Sequence, residues 1–178
     1  MTRTKAPVTT RFYQVWAPGP YREWGRFWLT SDGCLSILSD FGNYGYWWGS
    51  PGCEFRRFLT RAGVEYIANK LAGGEEDYDG RETVKLVKAS ILELRRAGRY
   101  TREWARDEWD RIKLYDLDES YDEWFRNTRI PDAHELSPVY VTPFQLQAFM
   151  RKLWPVFVEA LKNELLRERA REWFRRAA

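Results

Sequence analysis

The apolar pattern of this chain changes period once, and that change dictates a mixed architecture. Between Arg11 and Trp48 lie four short runs: Phe12-Tyr-Gln-Val-Trp16, Arg26-Phe-Trp-Leu-Thr30, Cys34-Leu-Ser-Ile-Leu38 and Tyr44-Gly-Tyr-Trp-Trp48. They are rich in aromatic or β-branched residues and are separated by turn chemistry, which is the signature of antiparallel strands. Ser50-Pro-Gly52 closes the block. Phe55, Phe58, Leu59, Ala62, Tyr66, Ile67 and Leu71 then recur at the spacing of one helix face. The fold class read from this switch is α+β. A small N-terminal antiparallel sheet of three or four strands is packed by one helix over residues 54–72 and followed by a mainly helical C-terminal region.

Turn and cap residues subdivide the chain further. Asp32-Gly33 predicts a tight hairpin between the second and third runs, and Asp40-Phe-Gly-Asn43 a turn between the third and fourth. Gly73-Gly74 ends the first helix, and Glu75-Glu-Asp-Tyr-Asp-Gly80 carries four acids and no base, so it reads as a solvated linker. Two parts follow: residues 1–74, sheet plus helix, and residues 75–178, a helical region. Val84, Val87, Ile91 and Leu94 mark an amphipathic helix stopped by Gly98, and Thr101 caps another that runs to Tyr115. A short helix is expected around Tyr121–Phe125. Thr142-Pro143 reads as an N-cap with an N1 proline, opening a long helix that Pro155 should kink near Leu153–Trp154.

Composition sets the class. In 178 residues, 44% are hydrophobic and 31% charged, and no run approaches the roughly 18 apolar residues of a spanning helix, so no membrane partner is expected. Met1-Thr-Arg-Thr-Lys5 leads into no apolar segment, and a cytoplasmic location is the expectation. Cys34 and Cys53 lack metal or redox spacing and read as reduced packing residues. The net charge of +3 excludes a uniformly acidic DNA mimic and a uniformly basic nucleic-acid binder.

Ten each of Trp, Tyr and Phe make rings the chain's chief resource. Strand alternation puts Tyr44, Tyr46 and Trp48 on one face, able to pack the first helix, and Trp47 on the other among small neighbours. The segment therefore suits either cross-strand packing within the sheet or a shallow ring platform for a partner. A second candidate is the C-terminal helix, because residues 142–178 hold eight bases and four acids. Arg167, Arg169, Arg171, Arg175 and Arg176, with Trp173 and Phe174 interleaved, could contact phosphates or a protein surface. The same arginines also suit a helix C-terminus, and Glu164, Glu168 and Glu172 stand at pairing distance along the helix.

Catalytic signatures are missing. His134 is the sole histidine, no Gly-x-Ser-x-Gly or Gly-rich phosphate loop occurs, and Asp116–Asp122 departs from a calcium loop where Tyr121 replaces the required glycine. The expectation is a non-enzymatic protein with no cofactor and no metal.

The run Leu35-Ser-Ile-Leu-Ser-Asp-Phe-Gly-Asn-Tyr-Gly-Tyr-Trp-Trp-Gly49, followed by Phe55-Arg-Arg-Phe-Leu59, resembles small proteins of tailed phages and prophages. Those proteins carry a similar Ser-Asp-aromatic-Gly-Asn-Tyr strand before an aromatic helix. The resemblance covers about residues 25–72 and brings no assigned activity. It implies an accessory protein in the host cytoplasm that binds a host macromolecule, with a CRISPR or other defence complex among the targets. Tyr44, Tyr46, Trp47 and Trp48 in the strand, with Arg167, Arg169, Arg171, Trp173, Phe174, Arg175 and Arg176 in the C-terminal helix, are the expected partner-binding set. Nucleic acid bound by the basic helix, and self-association into a homo-oligomer, are the alternatives.

Overall fold

A computed structural model describes residues 7–177, so Met1–Lys5 lies outside the described residues. The described residues divide into two compact units: residues 7–75 with 142–177, and residues 76–141. The C-terminal segment therefore belongs with the sheet, whereas the sequence reading grouped it with residues 75–141. Its apolar face explains the difference, because Phe157 and Leu161 are completely buried in the same core as Phe27 and Leu35.

The first unit begins with a four-stranded antiparallel meander of β1 (Thr10–Trp16), β2 (Trp24–Thr30), β3 (Cys34–Ser39) and β4 (Gly42–Trp47). Register follows the hydrophobic alternation: Tyr13 faces Phe27, Phe27 faces Ile37, and Ile37 faces Tyr44. A one-residue slip would turn every one of these residues to solvent. At the β2–β3 turn Gly33 has φ +92°, and a Cβ there would meet the Trp48 carbonyl oxygen at 2.2 Å, so the position requires glycine.

Helices cover one face of this sheet. The expected helix over residues 54–72 is two, α1 (Phe55–Arg61) and α2 (Val64–Ala72). Ala62 and Gly63 between them are extended, with ψ near 140°, which interrupts the backbone ladder without displacing Leu59, Ile67 and Leu71 from the core. Glu54 caps α1 by accepting the Arg57 amide. Beyond the second unit the chain returns in α6 (Phe144–Lys152) and α7 (Trp154–Ala177). Pro143, not Thr142, is the N-cap of α6. Pro155 has the expected effect: the helix breaks at Leu153, whose buried side chain sits at the corner. Phe157 stacks on Phe27 with ring centroids 3.9 Å apart and planes 7° from parallel, and locks the long helix to the sheet.

The second unit is largely helical. A two-stranded ladder pairs β5 (Asp77–Tyr78) with β6 (Tyr140–Val141) at its ends, an element too short to leave a periodicity in the sequence. Between them run α3 (Gly80–Arg96), α4 (Arg102–Leu114) and α5 (Tyr121–Asn127), then a single 3-10 turn at Ala133–Glu135. Thr101 caps α4 as its sequence context predicts, its hydroxyl accepting the Trp104 amide at 3.2 Å. Val87, Ile91, Ile112, Leu117 and Trp124 form the core. Within it Glu108 is fully buried and accepts the Thr128 hydroxyl, the Arg129 amide and Arg129 Nε at 2.8, 3.1 and 3.0 Å.

Candidate functional site

Alternation assigns the rings of β4 to two different roles. Trp48 is 6% exposed and donates through Nε1 to the Tyr66 hydroxyl at 3.1 Å, with Phe55 and Phe58 beside its ring. Tyr46 packs edge-on against Trp48, and the Tyr44 ring lies 5.1 Å from that of Phe149. Burial raises the Tyr44 phenol pKa. These three residues build the interface between sheet and helices, so the expectation that they bind a partner is corrected: the helices already occupy their face. Trp47 points the other way, is 55% exposed, and donates its indole N–H to the Asp32 carbonyl at 2.9 Å.

Trp47 has company that the reading of β4 alone did not supply. On the same outer face β1 presents Phe12 and Trp16, both half exposed, and β2 presents Trp24 and Trp28, both partly buried. Phe12 opposes Trp28 and Trp16 opposes Trp24 in the register, with the Phe12 and Trp28 centroids 5.4 Å apart. Arg26 lies over the Trp24 ring at 5.4 Å, the one formal charge that β1 to β4 direct outward. A face of this kind can bury rings against a partner, and its β-strands hold the rings in fixed relative positions. The alternation was available in the sequence of β1 and β2, and applying it there finds the whole face.

Two of the four acids of α7, Glu164 and Glu168, turn inward. Arg56 on α1 is nearly buried, its side chain 7% exposed; its Nε donates to Glu54 at 2.6 Å and its two Nη atoms reach Glu168 at 3.0 and 2.8 Å. Glu164 stands 3.3 Å from Arg56 and 2.7 Å from Arg11, and also accepts the Tyr13 hydroxyl. Hydrogen bonding from Arg56 holds the Glu168 carboxyl below the usual range, and the same bond raises the Arg56 guanidinium. Desolvation, then the bond to Glu164, pushes the Tyr13 phenol well above its ordinary value. A cleft of about 280 Å³ adjoins this cluster, bounded by Thr30, Pro51 and Cys53 as well as Arg11 and Arg56. Sequence reading had no signal for it, because the partners lie more than a hundred residues apart.

With those two acids paired, the exposed charge of α7 is mainly basic, Glu159 and Glu172 being the acids that remain. Arg167, Arg169, Arg171, Arg175 and Arg176 are all exposed, as are Trp173 and Phe174, whose rings meet edge-on at 5.0 Å. The expected C-terminal surface is therefore brought to solvent, apart from the ring-bearing face of the sheet.

A family model described as a phage family (Phage_phiTE_072) matches residues 8–163. The chain belongs to this phage family. The match takes in the whole sheet, all of the second unit and the first turns of α7. No curated protein and no solved structure matches the chain. His134 is exposed on the 3-10 turn of the second unit, whereas Cys34 and Cys53 belong to the first unit, the latter exposed. No helix among the described residues is long and apolar enough to cross a membrane.

Proposed function

We propose that this phage protein is a non-enzymatic accessory factor of the host cytoplasm that binds a host protein complex and inhibits or modulates it, with a CRISPR or other anti-phage defence complex as the target class. The observation supporting this reading is the outer face of the sheet. Phe12, Trp16, Trp24, Trp28 and Trp47 share it, Arg26 is its single formal charge, and the helices of the unit pack on the opposite face. Trp and Arg dominate the energetics of protein interfaces, and a row of rings in water is a cost that a partner relieves. The low charge favours a protein over a nucleic acid at this face, since phosphates require cations around the rings. Occlusion of a working surface on the target is the mechanism, and it needs no cofactor.

The test compares tagged wild-type protein with a Phe12→Ala, Trp16→Ala variant in host cells carrying an active defence system. Both side chains are half exposed, so the variant should fold. The expected result is a stoichiometric host partner held by the wild type and lost by the variant, together with restored phage plating that the variant fails to restore. Equal partner recovery by both proteins, or self-association as the only complex formed, refutes the reading.

A further inference from the structure

On the helix side of the first unit, α1 and α7 enclose a groove of about 230 Å³ lined by Arg57, Thr60, Arg61, Lys162, Leu165, Leu166 and Arg169. Four of these seven side chains are cations and none is an acid. All four are exposed, and none joins an ion pair among the described residues. The neighbouring acids explain why: Glu164 and Glu168 face the opposite side of α7, held by Arg11 and Arg56, and Glu54 is likewise held by Arg56. Unneutralised charge is thus built into the groove by the buried cluster behind it.

Helical geometry extends the groove. At 100° per residue, Lys162, Leu166, Arg169, Trp173 and Arg176 fall within one narrow stripe of α7, with Glu159 and Glu172 only at its edges. The stripe runs about 21 Å from Lys162 to Arg176 at about 1.5 Å per residue. Arg57 and Arg61, one turn apart on α1, form the facing wall. We infer that this stripe binds the phosphodiester backbone of a single-stranded nucleic acid, with Trp173, 65% exposed, stacking on a base. Guanidinium groups match phosphate oxygens in pairs, and an in-line exposed ring beside unpaired cations is the combination that single strands use. A duplex offers no unstacked base to Trp173. This site lies on the helix side of the sheet, apart from the ring-bearing outer face, so failure here leaves the proposed host-protein contact standing, and the reverse holds.

The experiment measures anisotropy of a labelled mixed-sequence single-stranded oligodeoxynucleotide, its duplex, and labelled polyglutamate, from about 50 to about 200 mM salt. The single strand should bind tightest, with affinity falling steeply as salt rises. Replacing Arg57, Arg61 and Arg169 together by Ala should weaken it at least about tenfold and reduce the salt slope by about 2, from about 0.7 per phosphate contact. Trp173→Ala should weaken binding about tenfold with the slope unchanged. Lys162→Gln with Arg169→Gln, confined to α7, provides a second variant if the triple one melts early. Arg151→Ala, an exposed cation on α6, must retain binding. Undetectable binding at low salt, equal or tighter binding of polyglutamate, preference for the duplex, or equal loss in Arg151→Ala overturns the inference.

Discussion

Arg56→Met tests whether the charge cluster between α1 and α7 holds the long helix in place. Methionine keeps an unbranched apolar stem in place of that of arginine but removes the charged bonds to Glu54 and Glu168 and the ion pair with Glu164. Breaking a buried pair by deleting one partner costs about 3–5 kcal/mol, because the survivor stays buried without compensation. Here the survivors are partly wet, with Glu168 36% and Glu164 31% exposed, and Arg11 remains near both. The loss should therefore fall lower, at about 2–3 kcal/mol, which for a chain of this size lowers the melting midpoint by roughly 5–10 °C. Adding Glu168→Met should recover stability to within about 1 kcal/mol of wild type, since apolar packing replaces such pairs at little net cost. Acid supplies an independent readout. The folded pKa of Glu168 is lowered, so the stability it contributes is full above its unfolded value of about 4.3 and is lost as pH falls through the folded value. The gap between wild type and Arg56→Met should accordingly narrow as pH drops below about 4.3. Urea titrations at neutral and acid pH decide the matter. A single variant within about 0.5 kcal/mol of wild type, or a double variant as weak as the single, would refute the reasoning.

Three further outcomes follow from the same structure. Gly80→Ala should lower stability by about 3 kcal/mol in thermal melts, because a Cβ there would lie 1.8 Å from the Asp118 carbonyl oxygen and one of the two backbones must move. Glu108→Ala should cost about 3 kcal/mol by urea unfolding, since it removes the buried acceptor of the Thr128 hydroxyl and the Arg129 amide and the ion partner of the buried Arg111 Nε, 3.1 Å away. In an alkaline titration read as tyrosinate absorbance, Tyr13, Tyr44, Tyr78 and Tyr121 should ionise above the ordinary phenol value of about 10, burial being the first cause in each. A raised acid pKa means stability present below about 10 and lost above it, so their signal should arrive with unfolding, and Tyr13→Phe should diminish that late step.

Local chemistry made much of the fold legible. Strand alternation separated Trp47 from Tyr44, Tyr46 and Trp48, Thr101 marked the start of α4, and Pro155 marked the corner at Leu153. Each of these is a statement about residues within a few positions of one another. The break at Ala62–Gly63 escaped because the apolar residues of α1 and α2 keep nearly the spacing of a single helix, and only the backbone changes. The return of α6 and α7 to the sheet escaped for a different reason. An amphipathic face declares that it will be buried but does not name the surface that buries it.

The charge of α7 shows how the same limit bears on function. Counted along the sequence, Glu164 and Glu168 dilute the arginines that follow and make the helix look internally balanced. Arg11 and Arg56 come from 153 and 112 residues away and take those two carboxylates out of the outward account. What then faces water is Lys162, Arg167, Arg169, Arg171, Arg175 and Arg176 against Glu159 and Glu172, with Arg57 and Arg61 alongside from α1. A near-neutral chain can therefore present a concentrated cationic groove, because ion pairing across the fold decides which charges are left to act on a partner.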